Sequence, residues 1–495
     1  MRYFVMLMLC FMSPFIYAAG SLQESVNDLF GAINSAYAPI LFWPVPIIEL
    51  PLILFIMVSG GIFFTIRYGF LNIKLFKHAI DVVRGQYDHP EHEGDITHFQ
   101  ALTSALSATV GLGNIAGVAV AIGMGGPGAI FWLWLSAFFG MSMKFSSCTF
   151  AQLYRMKDSQ GGMLGGPMVY LSKGLAEKGY IKIGKFVGSF FAFMTILASF
   201  GGGNLFQANQ TFEIIKAQFP GANPWIVGVV LAVLAGVVLL GGIKRIGAVT
   251  SKLVPLMCGF YVVTCLIIIF SNVSEIPALI ISIFQQAFSP EAAFGGFIGV
   301  MIQGVKRASF SNEAGLGSAA IAHSAAKTDE PVREGVVAMI GPFIDTHIVC
   351  TMTALVILIT GANLDPSVEG KGVEMTALAF SSLGSFMPYL LTVAICIFAY
   401  STVISWSYYG ERATEYLFGQ SMGANATKIY KVFYVLIIII GPVLSIGHVV
   451  DFADLMLLSM AFPNILGMIY LHKKVKTKVD DYVMRYQSGQ MKKYI

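Results

Sequence analysis

Residues 97–124 read THFQALTSALSATVGLGNIAGVAVAIGM, and in the middle of this apolar stretch two glycines flank one residue, Gly111-Leu112-Gly113. From Phe99 to Met143 the chain contains no Asp, Glu, Lys or Arg, and Gly125-Gly126-Pro127-Gly128 interrupts the region. Because a membrane-spanning helix needs about 20 apolar residues, we predict two spans here. At the rise of an α-helix, the glycine pair lies about 15–23 Å along the first span, near the bilayer midplane.

The composition extends this prediction to the whole chain. Of its 495 residues, 56% are hydrophobic and 12% are charged, whereas a soluble domain carries about 25% charged residues. Charge-poor windows predict about 11 spans, from a leading span near 46–66 to a last one near 452–471, and leave no soluble domain. The expected fold class is an all-α polytopic membrane protein in a lipid bilayer. The net charge of +4 does not indicate a nucleic-acid partner.

The ends of the chain and its basic residues predict its orientation. Residues 1–20 combine one Arg, an apolar run and Ala18-Ala19-Gly20, which is typical of a signal peptide or signal anchor. Nearly all of the 31 Lys and Arg residues lie in alternate connecting segments or in the tail. The positive-inside rule then places the N-terminus outside. Residues 21–96 hold a short external segment, the leading helix and a cytoplasmic loop, and the basic tail 472–495 is cytoplasmic, facing solvent or lipid headgroups. We expect a multi-pass protein of the bacterial inner (cell) membrane.

The glycine pair has a chemical use if the helix unwinds there. Unwound backbone exposes N–H groups that suit a carboxylate and carbonyl groups that suit a sodium ion. A bilayer tolerates such backbone only where it is buried or lines a cavity. Thr109 and Asn114 lie beside the glycines and favour a binding site. The alternative is close packing of helices through small residues.

A second span with polar groups covers residues 295–320. Gln303 and Gly304 lie about 10 residues into it, so we predict a second helix break near Gly304. Charges inside a membrane must be paired or hydrated, and this span carries Lys306, Arg307 and Glu313. We interpret Ser311-Asn312-Glu313 as a gate or loop, with a structural cluster of ion pairs as the alternative.

Two further spans carry polar pairs on one helix face. Asn204 and Gln207 are three residues apart, and Thr402 and Trp406 are four apart. The two amides can bind a polar ligand or link helices by hydrogen bonds. The Thr402 hydroxyl can supply an oxygen ligand to a cation, and Trp406 can close an apolar pocket or anchor its helix at the interface.

Asp345 is a carboxylate inside a predicted span, with His347 close by in sequence. An ionisable residue at such a position is a candidate for function. Two interpretations remain open: Asp345 supports a cation site directly, or it pairs with Arg307.

At these residues the chain resembles the alanine or glycine:cation symporter family. The most specific motif is GGPGAIFWLWLSAFFG at 125–140, accompanied by THFQAL, VGLGNIAGV and FSNEAGLGSAAIAHSAAKT, and the likeness extends from about residue 25 to 472. The resemblance implies a leucine-transporter-like fold: one additional leading helix, then two inverted repeats of five helices at about 97–270 and 294–471. It also implies sodium-driven uptake of alanine or glycine, with sodium as the co-transported ion, and no enzymatic activity.

The resemblance also implies roles for individual residues. Backbone N–H groups near Leu112 and Gly113 would bind the substrate carboxylate, and the full set of expected substrate residues is Gly111, Leu112, Gly113, Asn114, Asn204, Gln207, Gln303, Gly304, Thr402 and Trp406. The expected sodium ligands are Ser107, Thr109, Val110, Ala399 and Thr402. Val403 stands where the family pattern has a second hydroxyl. The expected gate or coupling residues are Arg307, Glu313 and Asp345.

We expect transport by alternating access with a single sodium ion, the simpler of the coupling schemes. A proton-coupled transporter of the same fold, using Asp345 or His347, is the first alternative. A channel is the second. A membrane enzyme is disfavoured because the chain has no GxSxG, HExxH or phosphate-loop motif.

Overall fold

The computed structural model describes residues 19–46, 49–158, 161–289, 296–368 and 372–494. The predicted signal segment, 1–20, lies outside these ranges except for its last two residues. The first half of the chain forms the helices α1 (Ala19–Leu41), α2 (Leu52–Arg67), α3 (Leu71–Lys74), α4 (Phe76–Val83), α5 (His98–Thr109), α6 (Ala116–Gly125), α7 (Ala129–Tyr154), α8 (Pro167–Glu177), α9 (Ile181–Phe200), α10 (Phe206–Gln218), α11 (Pro224–Leu239) and α12 (Gly242–Ser271).

The second half is also helical. It forms α13 (Ile276–Ala287), α14 (Gly296–Asn312), α15 (Ala319–His323), α16 (Pro331–Ala338), α17 (Ile340–Pro342), α18 (Thr351–Thr360), α19 (Gly372–Ser381), α20 (Met387–Met422), α21 (Ala424–Ile440) and α22 (Ile446–Gln487). One small hairpin pairs β1 (Met156–Lys157) antiparallel with β2 (Met163–Leu164).

The helices have the lengths and surfaces of a membrane bundle. Within the described ranges, up to 8 segments are long and apolar enough to cross a bilayer, counting α5 with α6 as one bent span. Three shorter apolar helices are α2, α11 and the segment Val273–Ala287, which includes α13. This arrangement is consistent with the predicted polytopic membrane protein of about 11 spans. Large apolar side chains such as Phe186, Leu256 and Phe270 are about two-thirds exposed on the outer faces, where a bilayer would cover them.

The first broken helix forms where the glycine pair predicts it. The Thr97 hydroxyl accepts a hydrogen bond from the Gln100 backbone N–H at 3.2 Å, and the Gln100 side chain accepts from the Thr97 N–H at 3.1 Å. This capping box starts α5. α5 ends at Thr109, and the helical segment Leu112–Gly125 continues at an angle of 58°.

The second break lies later than predicted. α14 runs without interruption from Gly296 to Asn312. The chain then leaves the helix at Glu313, whose φ is 56°, and Gly315 and Gly317 follow with φ of 85° and 89°. Glycine adopts these left-handed conformations readily, whereas Glu313 does so at an energetic cost.

Gly304 allows α14 to pack closely against α7. A Cβ at this position would lie 2.5 Å from both the Ala129 carbonyl oxygen and Trp132 Cβ on α7. The predicted break near Gly304 is therefore wrong, since a small residue at a helix contact needs no unwinding.

Two wide π-helical turns interrupt other spans. One is Gly201–Leu205, between α9 and α10, and the other is Phe343–Cys350, before α18. Such turns are frequent at functional sites. The first lets α20 approach, because a Cβ on Gly203 would lie 2.3 Å from Trp406 Cβ. The second contains Asp345.

The two ends of the described chain pack on the bundle. α1, which was not predicted, lies along α22, where the Asn34 amide donates to the His448 carbonyl oxygen at 3.1 Å. α22 continues to Gln487, and Tyr482 on this extension is buried.

The Tyr482 hydroxyl lies 2.7 Å from the imidazole Nε2 of His78 on α4. Burial lowers the pKa of His78 to about 4, so this imidazole is neutral. One face of this extension is therefore buried, whereas the basic residues Lys473, Lys474 and Lys478 are exposed, in keeping with a tail that faces solvent or lipid headgroups. Below, the tail side is the face of the bundle where α22 ends.

Candidate binding site at the broken helices

The first break lies directly against α20. The Thr402 hydroxyl donates to the Ser107 carbonyl oxygen at 3.0 Å, and the Ser107 hydroxyl donates to the Ser401 carbonyl oxygen at 2.8 Å. A Cβ on Gly111 would lie 2.5 Å from Thr402 Oγ1 and 3.5 Å from Gln207 Oε1. The structure therefore brings four predicted site residues together, and all four are buried: Ser107, Gly111, Gln207 and Thr402.

The other predicted sodium ligands surround this contact. Val110 is the first residue after α5, and Ala399 lies one turn before Thr402 on α20; both are buried. The Thr109 hydroxyl donates to the carbonyl oxygens of Ala105 at 3.1 Å and Leu106 at 3.3 Å on its own helix. Its oxygen is thus held against α5.

Asn114 connects both breaks to Asp345. Its Oδ1 accepts from the Gly111 N–H at 2.9 Å, and its Nδ2 lies 2.9 Å from Ser311 Oγ and 2.8 Å from Asp345 Oδ2. The hydroxyls of Ser311 and Thr346 donate to Asp345 Oδ1 at 2.6 and 2.9 Å. The side chains that hydrogen-bond to this buried carboxylate are neutral.

Arg307 pairs with Asp454 on α22. The Lys306 ammonium lies 2.7 Å from the same carboxylate, whose side chain is 2% exposed. The pairing of Arg307 with Asp345 is therefore wrong. Asp454 escaped prediction although it is a carboxylate within a predicted span, which is itself a signal of function.

Two amide side chains carry unused acceptors. Gln207 donates from Nε2 to the Gly202 carbonyl oxygen at 3.0 Å, and Asn204 donates from Nδ2 to the Tyr434 carbonyl oxygen at 2.8 Å. The oxygens of both amides are buried and have no hydrogen-bond partner among the described residues. Since buried polar atoms are nearly always bonded, these two oxygens are suited to an ammonium group.

Trp406 lies between the first wide turn and the second break. It is buried, and it approaches Gly203 of the first wide turn closely. At the second break, the Glu313 carboxylate accepts from the Ser318 hydroxyl. The interpretation of Trp406 as an interfacial anchor is therefore wrong. Gly304 lies at the contact of α14 with α7, and Gln303 lies against Gly125 at the end of α6. The structure does not bring either residue to the breaks.

A cluster that we did not predict joins the broken helices on the tail side. The Glu334 carboxylate on α16 bonds to Nδ1 of His98, at the start of α5, and to Nδ1 of His323, at the end of α15. All three side chains are fully buried. The Asp95 N–H donates to the Ala325 carbonyl oxygen at 2.8 Å next to this cluster. The two histidines lie within the motifs THFQAL and IAHSAAKT, which was the available signal.

The site is rich in oxygen atoms and in unwound backbone. Within the described residues, no group of three or more His, Cys, Asp or Glu side chains is placed to hold a metal ion. Hydroxyl and carbonyl oxygens next to a helix break instead suit sodium, and the free N–H groups of the break suit a carboxylate.

These features define the class of protein. A helical bundle with two broken spans that meet at buried polar groups is a secondary transporter of the leucine-transporter-like fold. The crystal structure of MhsT in complex with L-phenylalanine shares this fold, with a TM-score of 0.51 and 16% identity over 77% of this chain and 99% of that chain.

The sodium:alanine symporter family model matches residues 40–495, and the chain belongs to that family. It is 44% identical over 423 residues to the sodium/alanine symporter AgcS of Methanococcus maripaludis, covering 85% of this chain and 92% of AgcS. It is 34% identical over 470 residues to the probable sodium/glutamine symporter GlnT of Bacillus subtilis, covering 94% and 93%. The predicted fold class and family are confirmed: the chain is a sodium-coupled amino-acid symporter of the cell membrane and not an enzyme.

Replacing Gly111 by alanine is expected to reduce amino-acid uptake about tenfold or more. The added Cβ would lie 2.5 Å from Thr402 Oγ1, and forcing such a contact into a packed core costs about 1–3 kcal/mol. Gly123→Ala in the same broken span is the control, since its Cβ would meet only Met375 Cε at 3.6 Å. Equal uptake by both variants would show that the close approach of Gly111 is unimportant.

Proposed function

We propose that the chain carries a small neutral amino acid, alanine or glycine, into the cell with one sodium ion by alternating access. The observation that supports this most directly is the contact of Thr402 with Ser107 and Gly111, because it joins the first break to α20 through oxygen atoms. Membership of the sodium:alanine symporter family supports the class of ion and substrate.

The sodium ion binds between the first break and α20. Its ligands are the Thr402 hydroxyl and the carbonyl oxygens of Ser107, Val110 and Ala399. The 3.0 Å hydrogen bond from Thr402 to Ser107 then gives way to the ion, which takes both oxygens. Val403 supplies no hydroxyl, so the site depends on Thr402.

The substrate binds beside the ion. The backbone N–H groups near Leu112 and Gly113 hold its carboxylate, and the unused oxygens of Gln207 and Asn204 accept from its ammonium group. Trp406 limits the size of the side chain. Gln303 and Gly304 take no part, because Gly304 packs on α7 and Gln303 lies against Gly125 at the end of α6.

Two buried ionic clusters close the site in turn. The pair Arg307–Asp454 closes the face opposite the tail side, and the cluster of Glu334 with His98 and His323 closes the tail side. The basic residues of the connecting segments support a cytoplasmic tail side. One sodium ion that moves inward through a membrane potential of 100 mV provides about 2.3 kcal/mol. This free energy corresponds to roughly 50-fold accumulation of the substrate inside the cell.

The test is uptake of labelled L-alanine into proteoliposomes under an inward gradient of sodium, potassium or protons. We expect uptake with sodium alone, competed by glycine and not by glutamine. Uptake driven by protons without sodium would select the alternative of a proton-coupled transporter using Asp345 or His347. Competition by glutamine equal to that by glycine would overturn the proposed substrate size and leave sodium coupling intact.

Thr402→Val is expected to raise the sodium concentration for half-maximal uptake by about 10–100-fold. The change removes a hydroxyl ligand with little change of shape, and a polar contact to a charged group contributes about 1.5–3 kcal/mol. Thr402→Ser is the matched control, because it keeps the hydroxyl and loses one methyl group. An unchanged sodium requirement in the valine variant would remove Thr402 from the ion site.

A further inference from the structure

Arg155 follows the end of α7 on the tail side, and its guanidinium binds four carbonyl oxygens. One is that of Glu93, at 2.8 Å, in the segment that leads to α5. Arginine suits such a cradle, because its planar fork carries five donors and a permanent charge, whereas lysine has three donors. The other three carbonyl groups belong to residues 324–328, the strip that follows α15: Ser324 at 3.2 Å, Ala326 at 2.6 Å and Thr328 at 2.8 Å.

The strip forms a short parallel seam with residues 93–96. Ile96 pairs with Ala326 as an isolated parallel bridge. The approach is close, because a Cβ on Gly94 would lie 2.6 Å from the Ala326 carbonyl oxygen. The seam therefore joins the tail-side ends of the two broken helices. Its buried apolar side chains are those of Ile96, Ala101, Met163, Ala325 and Ala326.

Arg155 attaches both sides of the seam to the end of α7. The Glu93 carbonyl oxygen accepts from the guanidinium and also from the Thr328 N–H, at 3.2 Å. On α7, the Gln152 amide donates to the Ala326 carbonyl oxygen at 3.3 Å. Three of the four bonds of Arg155 hold the strip, and one reaches the segment that docks on it. The end of α7 thus presents the strip as a fixed surface for residues 93–96.

We propose that Arg155 holds the strip where the seam can close, and so stabilises the state in which α5 keeps its sodium ligands at α20. Ser107 lies on α5 and contacts Thr402 in this state. Separation of residues 93–96 from the strip frees the start of α5, and the strip stays on α7. Arg155 is a positioning residue, since it touches neither substrate nor sodium. The inference rests on the proposed sodium site and alternating access.

The first measurement is sodium binding by the purified full chain with Arg155→Gln. The sodium ligands meet when the seam is closed, so a smaller closed fraction raises the apparent dissociation constant in proportion. Loss of a hydrogen-bonded charge is expected to raise this constant about tenfold. The dependence of the thermal unfolding midpoint on sodium concentration gives the constant.

The second measurement reports the opening itself. Ala101 on α5 is fully buried in the seam, so the thiol of Ala101→Cys reacts with a maleimide only when the seam separates. We expect this reaction to be about tenfold faster when Arg155→Gln is added, in line with the smaller closed fraction. Mass spectrometry of the peptide that contains position 101 reads this site alone.

Lys157→Met is the matched control. Lys157 pairs with the Glu93 carboxylate at 2.9 Å, but both side chains are more than half exposed. The variant therefore removes a cation next to the seam and leaves the four carbonyl contacts of Arg155 in place. Its sodium dissociation constant and its maleimide reaction at position 101 are expected to match those of the wild type.

A disulfide across the seam separates positioning from a general structural role. Neighbouring strands lie about 4.7–4.9 Å apart, which is within the separation of about 4.4–6.8 Å between the Cα atoms of a disulfide. We therefore introduce Ile96→Cys and Ala326→Cys together with Arg155→Gln. Oxidation closes the seam and is expected to return the sodium dissociation constant to that of the wild type, and reduction to raise it again. Closing the seam does not repair general damage to the fold.

Two results would overturn the inference: an Arg155→Gln variant with wild-type sodium binding and maleimide reaction, or a raised dissociation constant that the disulfide leaves unchanged. If Arg155→Gln does not fold, Arg155→Lys is tested in the same way, because it keeps the charge with fewer donors. A wild type whose unfolding midpoint does not respond to sodium would instead refute the proposed function.

Discussion

Replacing Asp345 by asparagine is expected to abolish sodium-dependent accumulation of substrate. Asp345 is fully buried, and Asn114 connects it to the Gly111 N–H of the first break. The substitution keeps size and most hydrogen bonds, and removes the negative charge. Asn114 and Ser311 then hold a neutral amide in place of a carboxylate, and this group no longer favours a nearby cation. We expect the affinity for sodium to fall about 10–100-fold, as for loss of a charged partner worth about 1.5–3 kcal/mol.

The effect can be measured without transport. An ion that binds the folded state raises the midpoint of thermal unfolding as its concentration rises above the dissociation constant. The purified wild type is expected to become more stable when sodium replaces potassium, and Asp345→Asn is not. Thr346→Val is the matched control, because it removes the 2.9 Å hydrogen bond to Asp345 and keeps the carboxylate.

Two results would count against this role of Asp345. Sodium stabilisation that survives Asp345→Asn would show that another group balances the charge of the bound ion. Loss of pH dependence with sodium stabilisation unchanged would instead make Asp345 a proton carrier, which is the role it has in the proton-coupled alternative.

The first broken helix could be predicted because a single stretch of sequence contains all of its causes. Gly111 and Gly113 weaken the helix, and Asn114 bonds back to the Gly111 N–H three residues earlier. Interactions between residues so close in the chain can be predicted from the sequence pattern. The contact of Ser107 with Thr402 was reached through family resemblance, and not through spacing.

The second break shows why depth cannot be counted along one segment. Counted from residue 295, Gly304 lies about 10 residues into the span, where the break is predicted, and Gly315 lies about 20 residues in, where none is predicted. The structure reverses their roles: Gly304 allows α14 to approach α7, and Gly315 has the positive φ of the break. A glycine in a span permits either close packing or unwinding, and the choice depends on the helix that packs against it.

The ionic partners could not be predicted, because they lie far apart in sequence. Arg307 and Asp454 are separated by 147 residues, and His98 and Glu334 by 236. Each side chain was visible as a charge or a histidine in an apolar segment. The pairing depends on how the two halves of the chain fold against each other, and local patterns do not record it.

Replacing Glu334 by alanine is expected to open the tail side of the transporter. The change leaves Nδ1 of His98 and of His323 buried without the carboxylate that joins them. An unpaired buried polar group costs about 1–3 kcal/mol. With two such groups, the closed state is expected to lose about 2 kcal/mol or more relative to an open state in which water reaches both rings. That difference corresponds to roughly a 30-fold larger open fraction.

Hydrogen exchange at the backbone groups beside the cluster reports this opening. The Asp95 and Lys327 N–H groups donate to the Ala325 and Ile96 carbonyl oxygens, both at 2.8 Å, and the two N–H groups lose protection when the ends of the broken helices separate. We expect faster exchange in peptides covering 92–101 and 322–330 of Glu334→Ala. Glu334→Gln is the matched control, because its amide can accept from one imidazole and donate to the other without a charge. If Glu334→Gln keeps the wild-type protection, hydrogen bonding holds the tail side closed. If Glu334→Gln exchanges as fast as Glu334→Ala, the charge of the carboxylate holds it closed. Unchanged exchange in both variants would show that the cluster does not hold this side closed.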